Sequence, residues 1–415
     1  MDFFLETNPA FLILPIEDKE YIFYNSLQHR GSRLTHLEML ILDMYYRYQN
    51  KDFIVSNFEN NKQDTIRKAL EAIDHHHLLL CEEIKEPELD TDIYPTSFYI
   101  HPTYKCNLNC GYCYNKTIRK AHGDTIGLTD WMAIIDKLSP YAKTFTLTGG
   151  EFFLYPDIVL LVKYIRKKCP DSYIGAISNG MHNFQTSPVN EIFDYISGIS
   201  FSCDSISREG ERKGFNPKLY VDNIKWIKRS YPKLKISISS TVTSSNSKDI
   251  DETDYFCKKN DCNFSKFILI PQSVDEIDLM PDFNEMIEKG TVLTNKTKRL
   301  DTASFTCGAG RNVWSIDPMG NVYPCQSLHH GEFLMGNILR DSVEDMKYSC
   351  KNGRLLKTVN DFAVCSRCKV KYICGGGCPA TAYNLYDGKI DRNHLTCYMD
   401  YTNSIRKLKS LDNRL

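Results

Sequence analysis

The spacing of apolar positions divides the chain into a front unit, an alternating middle and a cysteine-rich end. Near the start, Phe11–Ile16 and Tyr21–Asn25 read as two short strands around the turn Glu17-Asp18-Lys19. Thr35 and Glu38 then form a capping box, and Leu37, Leu40, Ile41, Met44, Tyr45 and Tyr48 recur at helical spacing. A short helix is expected around Phe53–Phe58. A third runs from Gln63 to His75 with Ile66, Leu70 and Ile73 on one face, and Leu78–Cys81 returns as a strand. Residues 82–96 are charged, carry two prolines and lack periodicity, so they lead into a linker at 86–96 behind a front unit of 1–85.

From Ser97 strands and helices alternate. Ser97–Ile100, Thr144–Thr148, Tyr173–Ser178, Ile196–Cys203, Lys235–Thr241 and Phe264–Ile270 read as six strands. Between them lie amphipathic stretches: Thr129–Leu138 capped by Thr129, Ile158–Lys167 capped by Asp157, Leu219–Lys228, and Ser247–Lys258. Ile158, Leu161, Val162 and Ile165 share one face. Such alternation predicts an α/β fold with a parallel sheet, and six units predict a partial (β/α)6 barrel over 97–295. The remaining domain is 296–415.

Composition narrows the classes. At 415 residues the chain is too long for one ordinary core. A net charge of −1 gives no global attraction to nucleic acid or anionic membrane. No apolar run approaches the ~20 residues of a transmembrane helix, and the acidic N-terminus lacks the basic region of a signal peptide. Sixteen cysteines without an export route predict a cytoplasmic protein whose thiols serve metal sites, not disulfides. The front unit, strands plus three helices, is winged-helix-like. Residues 1–80 hold eight Lys/Arg against twelve Asp/Glu, a poor surface for DNA, which favours docking of a peptide on the sheet edge or simple shielding of the barrel. The run His75-His76-His77 reads as a partly exposed helix end, because adjacent helical residues do not face one another.

The chemistry starts at residues 106–113, CNLNCGYC. Cys106, Cys110 and Cys113 form a C-x3-C-x2-C pattern, and soft thiolates are the ligands an iron–sulfur cluster prefers. Three ligands on a four-iron cluster leave one iron open, whereas a closed zinc site needs a fourth neighbour that the local sequence lacks. In parallel barrels chemistry sits at the C-terminal strand ends. The cysteine loop follows the first strand, Gly149-Gly150-Glu151 the second and Ser178-Asn179-Gly180 the third, while Ser202-Cys203-Asp204 ends the fourth. Two glycines allow backbone to approach a ligand closely, and the carboxylate after them can hold an ammonium group.

This order of motifs resembles the radical S-adenosylmethionine (radical SAM) enzymes over residues 97 to about 290. By that resemblance Cys106, Cys110 and Cys113 hold a [4Fe–4S] cluster, and SAM chelates its open iron. Gly149, Gly150 and Glu151 would bind the methionine part. Ser178, Asn179, Ser202 and Asp204 would lie around the ribose and carboxylate, and Tyr112 would contact the adenine. The family's proline after GGE is Phe152 here, an expected loss of rigidity. The implied chemistry is reductive cleavage of SAM to a 5′-deoxyadenosyl radical and hydrogen abstraction from substrate, with the protein positioning and shielding the cofactor.

Besides Cys350, seven further cysteines lie from 307 to 397, three more than one tetrahedral zinc site needs. Cys307 and Cys325 flank Gly320; Cys365, Cys368, Cys374 and Cys378 follow as C-x2-C-x5-C-x3-C, and Cys397 closes the set. Two zinc ribbons would also use such a number. The spacing resembles the SPASM extension with its two auxiliary [4Fe–4S] clusters. By that resemblance Cys365, Cys368, Cys374 and Cys397 bind one cluster, and Cys307, Cys325 and Cys378 the other. The fourth ligand of the latter is open, with Cys350 a possible substitute. Cys81, Cys169, Cys203, Cys257 and Cys262 have no motif and read as small buried hydrophobes.

The front unit resembles the precursor-recognition (RRE-like) domain of enzymes that modify ribosomally made peptides. Together the parts resemble a peptide maturase: the leader of a ribosomal precursor peptide docks on 1–85, and a thioether or carbon–carbon cross-link forms in its core. The auxiliary clusters would accept the surplus electron, and an electron donor such as ferredoxin or flavodoxin would supply reducing equivalents. The competing enzyme reading is formylglycine formation of the sulfatase-maturase type, disfavoured because those relatives lack the front unit and carry Asp where this chain has Gln326. The non-enzyme alternative is an iron–sulfur redox sensor that binds DNA, disfavoured by the acidic front unit.

Overall fold

Three antiparallel strands, β1 (Phe11–Pro15), β2 (Glu20–Asn25) and β3 (Arg30–Thr35), open the fold in the order β1-β2-β3. The computed structural model describes residues 3–16, 19–83, 85, 94–116, 118, 125–246, 248–283, 286, 307–351, 357–386, 388 and 397–410. The expected turn residues Glu17 and Asp18, most of the 86–96 linker and the 295/296 boundary lie outside them. Strand β3 was not expected, because Arg30, Gly31, Ser32 and Arg33 give it only one large apolar residue, Leu34. Three helices follow: α1 (His36–Tyr48), α2 (Lys51–Ser56) and α3 (Gln63–His75). The Thr35–Glu38 capping box is present and fixes the start of α1.

The buried face of α1 differs from the expected one. Met39, Ile41, Leu42 and Asp43 are buried, while Leu37 and Tyr48 are exposed. The N-terminal segment covers that face: Phe3, Leu5 and Phe11 share its core, and Asp43 accepts the Leu5 N–H at 2.9 Å. Leu78–Cys81 is not a strand. There the side-chain amide of Asn25 donates to Leu78 O and Leu80 O at 2.9 and 2.7 Å, replacing a strand ladder.

The main sheet contains the six expected parallel strands: β4 (Ser97–Ile100), β6 (Thr144–Leu147), β7 (Tyr173–Ser178), β8 (Gly198–Ser202), β10 (Lys235–Val242) and β11 (Asn263–Ile268). Chain-order neighbours pair throughout, as a right-handed β–α series requires. Two short pieces, β5 (Asn109–Cys110) and β9 (Arg212–Lys213), pair antiparallel outside the sheet. Helices α4 (Leu128–Leu138), α5 (Ile158–Lys168), α6 (Pro217–Ser230) and α7 (Ile250–Lys259) fill the crossovers. The N-cap of α4 is Gly127, not Thr129, and Asp157 at the α5 N-cap makes no side-chain cap bond. Asn216 caps α6 through Leu219 N at 3.1 Å.

The C-terminal region continues this sheet. Strand β12 (Val313–Ile316) pairs parallel with β4, so Trp314 sits beside Phe98 and Ile316 beside Ile100. Strands β13 (Asn321–Tyr323) and β14 (Gly336–Asn337) add antiparallel to make nine strands. Trp314, Ile316, Val322 and Ile338 belong to the same buried cluster as the barrel core. Beyond lie α8 (Val343–Lys351), α9 (Lys371–Cys374), α10 (Pro379–Leu385) and α11 (Cys397–Lys409). Among the described residues no helix is long and apolar enough to cross a membrane.

Alternation along β1 and β2 explains how the front unit is held. Phe11 and Phe23 face its helices, while Leu12, Leu14, Ile22 and Tyr24 face Val370, Ile373 and Leu408 at the other end of the chain. Lys369 Nζ donates to Phe11 O at 2.7 Å, and Lys371 Nζ meets Glu83 Oε1 at 2.9 Å. The front unit therefore packs directly on the segment that carries Cys368.

Candidate active site at the strand ends

The cysteine loop leaves β4 through Thr103, Tyr104 and Lys105. Gly150 N–H donates to Thr103 O at 3.0 Å and Glu151 N–H to Lys105 O at 2.8 Å. A Cβ on Gly149 would lie 2.4 Å from Thr103 O, and one on Gly150 2.3 Å from Lys105 O. Gly149 also has φ +125, a backbone state that favours glycine. The two glycines thus serve close approach of one backbone to another. At the far end of the loop, buried Asn115 donates from Nδ2 to Gly149 O at 3.0 Å. A third tie is the β5–β9 ladder, which pairs Cys110 with Arg212.

Glu151 is 1 % exposed. Its carboxylate accepts Ser178 Oγ–H at 3.0 and 3.1 Å and Asn179 N–H at 2.8 Å. Burial pushes its pKa up to about 7, against the opposing pull of these donors. Asn179 also donates from Nδ2 to Asn107 Oδ1 at 2.7 Å and to Cys106 Sγ at 3.7 Å. Glu151, Ser178, Asn179 and Cys106 are therefore one connected group. Phe152 and Phe153 are buried with ring centroids 4.1 Å apart, so packing holds the turn that lacks a proline.

The fourth strand end is arranged differently. Asp204 is 4 % exposed; it accepts from Arg212 Nη2 at 3.2 Å, from Thr241 N–H at 3.0 Å and from the Tyr112 hydroxyl, and forms an ion pair with Arg212 Nε at 3.1 Å. Tyr112 lies in an apolar cluster with Val242, Ile268 and Met280, and the Arg212 guanidinium lies 5.6 Å from its ring centroid. Ser202 is half-buried at the end of β8. Arg212 was missed in the sequence, where it sits in the charged run REGERKG with no motif to single it out.

The three loop thiols are half-buried. Burial raises the Cys110 thiol to about 11; Arg212 pulls it down, and Cys113 and Cys106 push it up further. Among the described residues no three His, Cys, Asp or Glu side chains are placed to hold a single metal ion.

Towards the C-terminus, Cys365, Cys368, Cys374 and Cys397 form a second thiol group. Burial raises Cys365 to about 11, with Cys397 and Cys368 adding; Cys374, raised to about 12 mainly by burial, feels Cys365 and Cys397. Gly375, Gly376 and Gly377 all have positive φ, which accounts for the run of three glycines up to Cys378. Cys378 and Cys325 pack against one apolar cluster of Leu328, Phe333 and Ala380. Cys307 is half-buried, and the Cys350 side chain lies outside the described residues. Cys169, Cys203, Cys257 and Cys262 are buried, but Cys81 is exposed, contrary to expectation, because its segment forms no strand.

A cavity of about 480 Å³ opens between the two halves. Tyr104 and Tyr114, which flank the cysteine loop, line one side; Gln326 and Ser327, directly after Cys325, line the other. Into it leads a buried network that the sequence did not reveal: Tyr104 OH to His329 Nδ1 at 2.7 Å, His329 Nε2 to Ser315 Oγ at 2.8 Å, and His101 Nε2 to the same Oγ at 3.0 Å. Burial pulls His101 down to about 3 and His329 well below its usual value, so both rings are neutral near pH 7.

Comparison with known proteins agrees with this arrangement. Residues 100–254 match the radical SAM superfamily, and residues 307–369 match the iron–sulfur cluster-binding SPASM domain. The mycofactocin maturase MftC of Mycobacterium tuberculosis is 25% identical over 313 residues, covering 68% of this chain and 77% of its own. The sporulation killing factor maturation protein SkfB of Bacillus subtilis is 24% identical, over 79% of this chain and 84% of its own. The crystal structure of Streptococcus suis SuiB bound to precursor peptide SuiA superposes with a TM-score of 0.57 at 18% identity, over 94% of this chain and 99% of that one. The two domains imply a [4Fe–4S] cluster, auxiliary clusters and SAM as cofactors. The chain is a radical SAM enzyme with a C-terminal SPASM domain.

Proposed function

We propose that this enzyme matures a ribosomally synthesised precursor peptide, closing a thioether or carbon–carbon cross-link within it. The observation that carries this reading is the cavity between the Cys106–Cys113 loop and the segment after Cys325. A side chain held there lies between the site of hydrogen abstraction and the thiols of the C-terminal region. The names of the relatives MftC and SkfB, both maturation proteins, support a peptide substrate, as does the peptide-bound state of SuiB.

In this reading Cys106, Cys110 and Cys113 hold the cluster that works with SAM, and Gly149, Gly150 and Glu151 border the methionine part. Glu151, buried and already oriented by Ser178 and Asn179, is positioned to receive an ammonium group, which would restore its charge. Asn179 bridges that carboxylate group to the cysteine loop. Asp204, saturated by Arg212, Tyr112 and Thr241, positions Tyr112 and the loop and is not an open ligand. Two auxiliary clusters belong to Cys365, Cys368, Cys374 and Cys397, and to Cys307, Cys325 and Cys378. When bound, these groups supply a hydrogen-abstracting radical and acceptors for one electron.

The front unit, residues 1–85, binds the leader. Its β1 edge faces Lys369, whereas β3 pairs only with β2 among the described strands, so strand addition on β3 is the available mode. The test is incubation of the reconstituted enzyme with the short peptide encoded beside its gene, SAM and reductant. A cross-linked product is lighter by two hydrogens; an unchanged mass after SAM turnover contradicts the proposal.

A further inference from the structure

We propose that Lys371 raises the reduction potential of the auxiliary cluster assigned to Cys365, Cys368, Cys374 and Cys397. This deepens the reading above and rests on it for the assignment of one cluster to these four cysteines.

The ammonium group of Lys371 sits on the cysteine loop itself. Lys371 opens α9 between Cys368 and Cys374, and its backbone N–H donates to Cys368 O at 3.2 Å. Its side chain is only 7 % exposed. It turns back so that Nζ donates to Ser366 O at 3.3 Å, inside the tight turn from Cys365 to Cys368. The same Nζ meets Glu83 Oε1 at 2.9 Å and lies 4.8 Å from the Tyr372 ring centroid. The Tyr372 hydroxyl donates to that Glu83 oxygen at 3.0 Å, so a carbonyl, a carboxylate and a ring hold the cation in one place. Burial opposes the charge on Lys371, but the contacts with Glu83 and Tyr372 outweigh it. Its pKa stands above the ordinary value, and the group is cationic at neutral pH.

The sulfur atoms respond to this surrounding. Burial raises the Cys368 thiol, while Val370 N–H, which donates to its sulfur, and the Lys371 charge pull it down. Gly376 N–H likewise donates to the Cys374 sulfur. Donors turned towards sulfur favour thiolates, the form that binds iron, so the residues present fit a thiolate-held cluster. Asp400 acts in the opposite sense on Cys374 and Cys397. Lys369, next to Cys368 in the chain, sends its ammonium group to Phe11 O at 2.7 Å. Reduction makes a cluster more negative. A cation fixed on the ligand loop therefore stabilises the reduced form more than the oxidised one and raises the potential. A higher potential suits a group that accepts one electron.

The test is a redox titration of the cluster-loaded enzyme followed by electron paramagnetic resonance, with no peptide present. Cys368→Ala identifies the signal that belongs to this cluster. Lys371→Met should keep that signal and its iron. Its midpoint potential should fall by about 59 mV, the one-electron equivalent of a tenfold change in the ratio of reduced to oxidised cluster. The other signals should stay where they are. Lys371→Arg, which keeps the charge, should recover most of the wild-type value. Lys369→Met removes the same charge from a group aimed at the front sheet and should shift the midpoint less than Lys371→Met. An unmoved midpoint or loss of the cluster in Lys371→Met, an equal shift in Lys369→Met, or no recovery in Lys371→Arg overturns the proposal. If Cys368→Ala removes no signal, the cluster assignment fails and this inference fails with it. If that signal is removed but Lys371→Met leaves the midpoint unchanged, this inference alone fails. A precursor peptide left unmodified would contradict the maturase reading without touching the measured potential.

Discussion

Arg212 Nε lies 3.1 Å from Asp204 Oδ2 in an ion pair with both side chains at most one-tenth exposed. Arg212 belongs to β9, whose partner strand contains Cys110, so the pair anchors the cysteine loop to the end of the fourth barrel strand. Removing one partner of a buried pair leaves an uncompensated charge and costs about 3–5 kcal/mol. Arg212→Met should therefore lower the melting temperature of the anaerobically purified protein and its iron content. Adding Asp204→Asn to that variant should recover part of the melting temperature; no recovery would show that the charge is not the cause.

The glycine pair makes a sharper demand. At Gly150 a methyl group would press on Lys105 O at 2.3 Å, a backbone atom with no freedom to move aside. Gly150→Ala should displace the cysteine loop and reduce iron bound per chain. Gly127→Ala, whose added Cβ meets nothing within 4 Å, is the control and should bind iron normally. Equal iron in the two variants would count against the clamp.

These loop contacts mark what was legible in the sequence and what was not. The parallel strands β4, β6, β7, β8, β10 and β11 were readable because each is a short apolar run bounded by turn residues. The cysteine, GGE and SNG motifs were readable from their order along those strands. The carboxylate–amide contact from Glu151 to Asn179, 28 positions apart, needed only the strand order to be anticipated. Strand β3 and the β5–β9 ladder were not readable: their residues are polar, glycine-rich or only two long. Nor was β12 as a seventh parallel strand, since VWSI is only four residues long and lies among cysteine motifs. The network joining Tyr104, His329, Ser315 and His101 spans more than 200 residues and has no local signature.

Glu151 gives a pH test. Its folded pKa of about 7 stands above the ordinary 4.5, so the folded state favours the protonated acid. The stabilisation is full below pH 4.5 and is lost as pH rises through 7, on the order of 3 kcal/mol in all. Without SAM, the melting temperature of the wild type should fall more steeply over that interval than that of Glu151→Gln. Parallel pH profiles would contradict the assignment.

The contact between the front sheet and the C-terminal segment predicts coupled stability. Ile22 is fully buried in a cluster with Val370, Ile373 and Leu408. Truncating such a side chain costs about 2–5 kcal/mol. Ile22→Ala should speed amide exchange in α9 and α11 as well as in β2, measured by hydrogen–deuterium exchange mass spectrometry. A change confined to β2 would mean that the two regions open independently.

The central claim is that hydrogen leaves a peptide held at this barrel rim, and one isotope measurement addresses it directly. The precursor encoded beside the gene is made with perdeuterated amino acids and incubated with enzyme, unlabelled SAM and reductant. The 5′-deoxyadenosine formed is then weighed by mass spectrometry. One deuterium per 5′-deoxyadenosine, appearing only with peptide present, is the predicted result. Unlabelled 5′-deoxyadenosine, formed at the same rate with and without the peptide, would contradict the account.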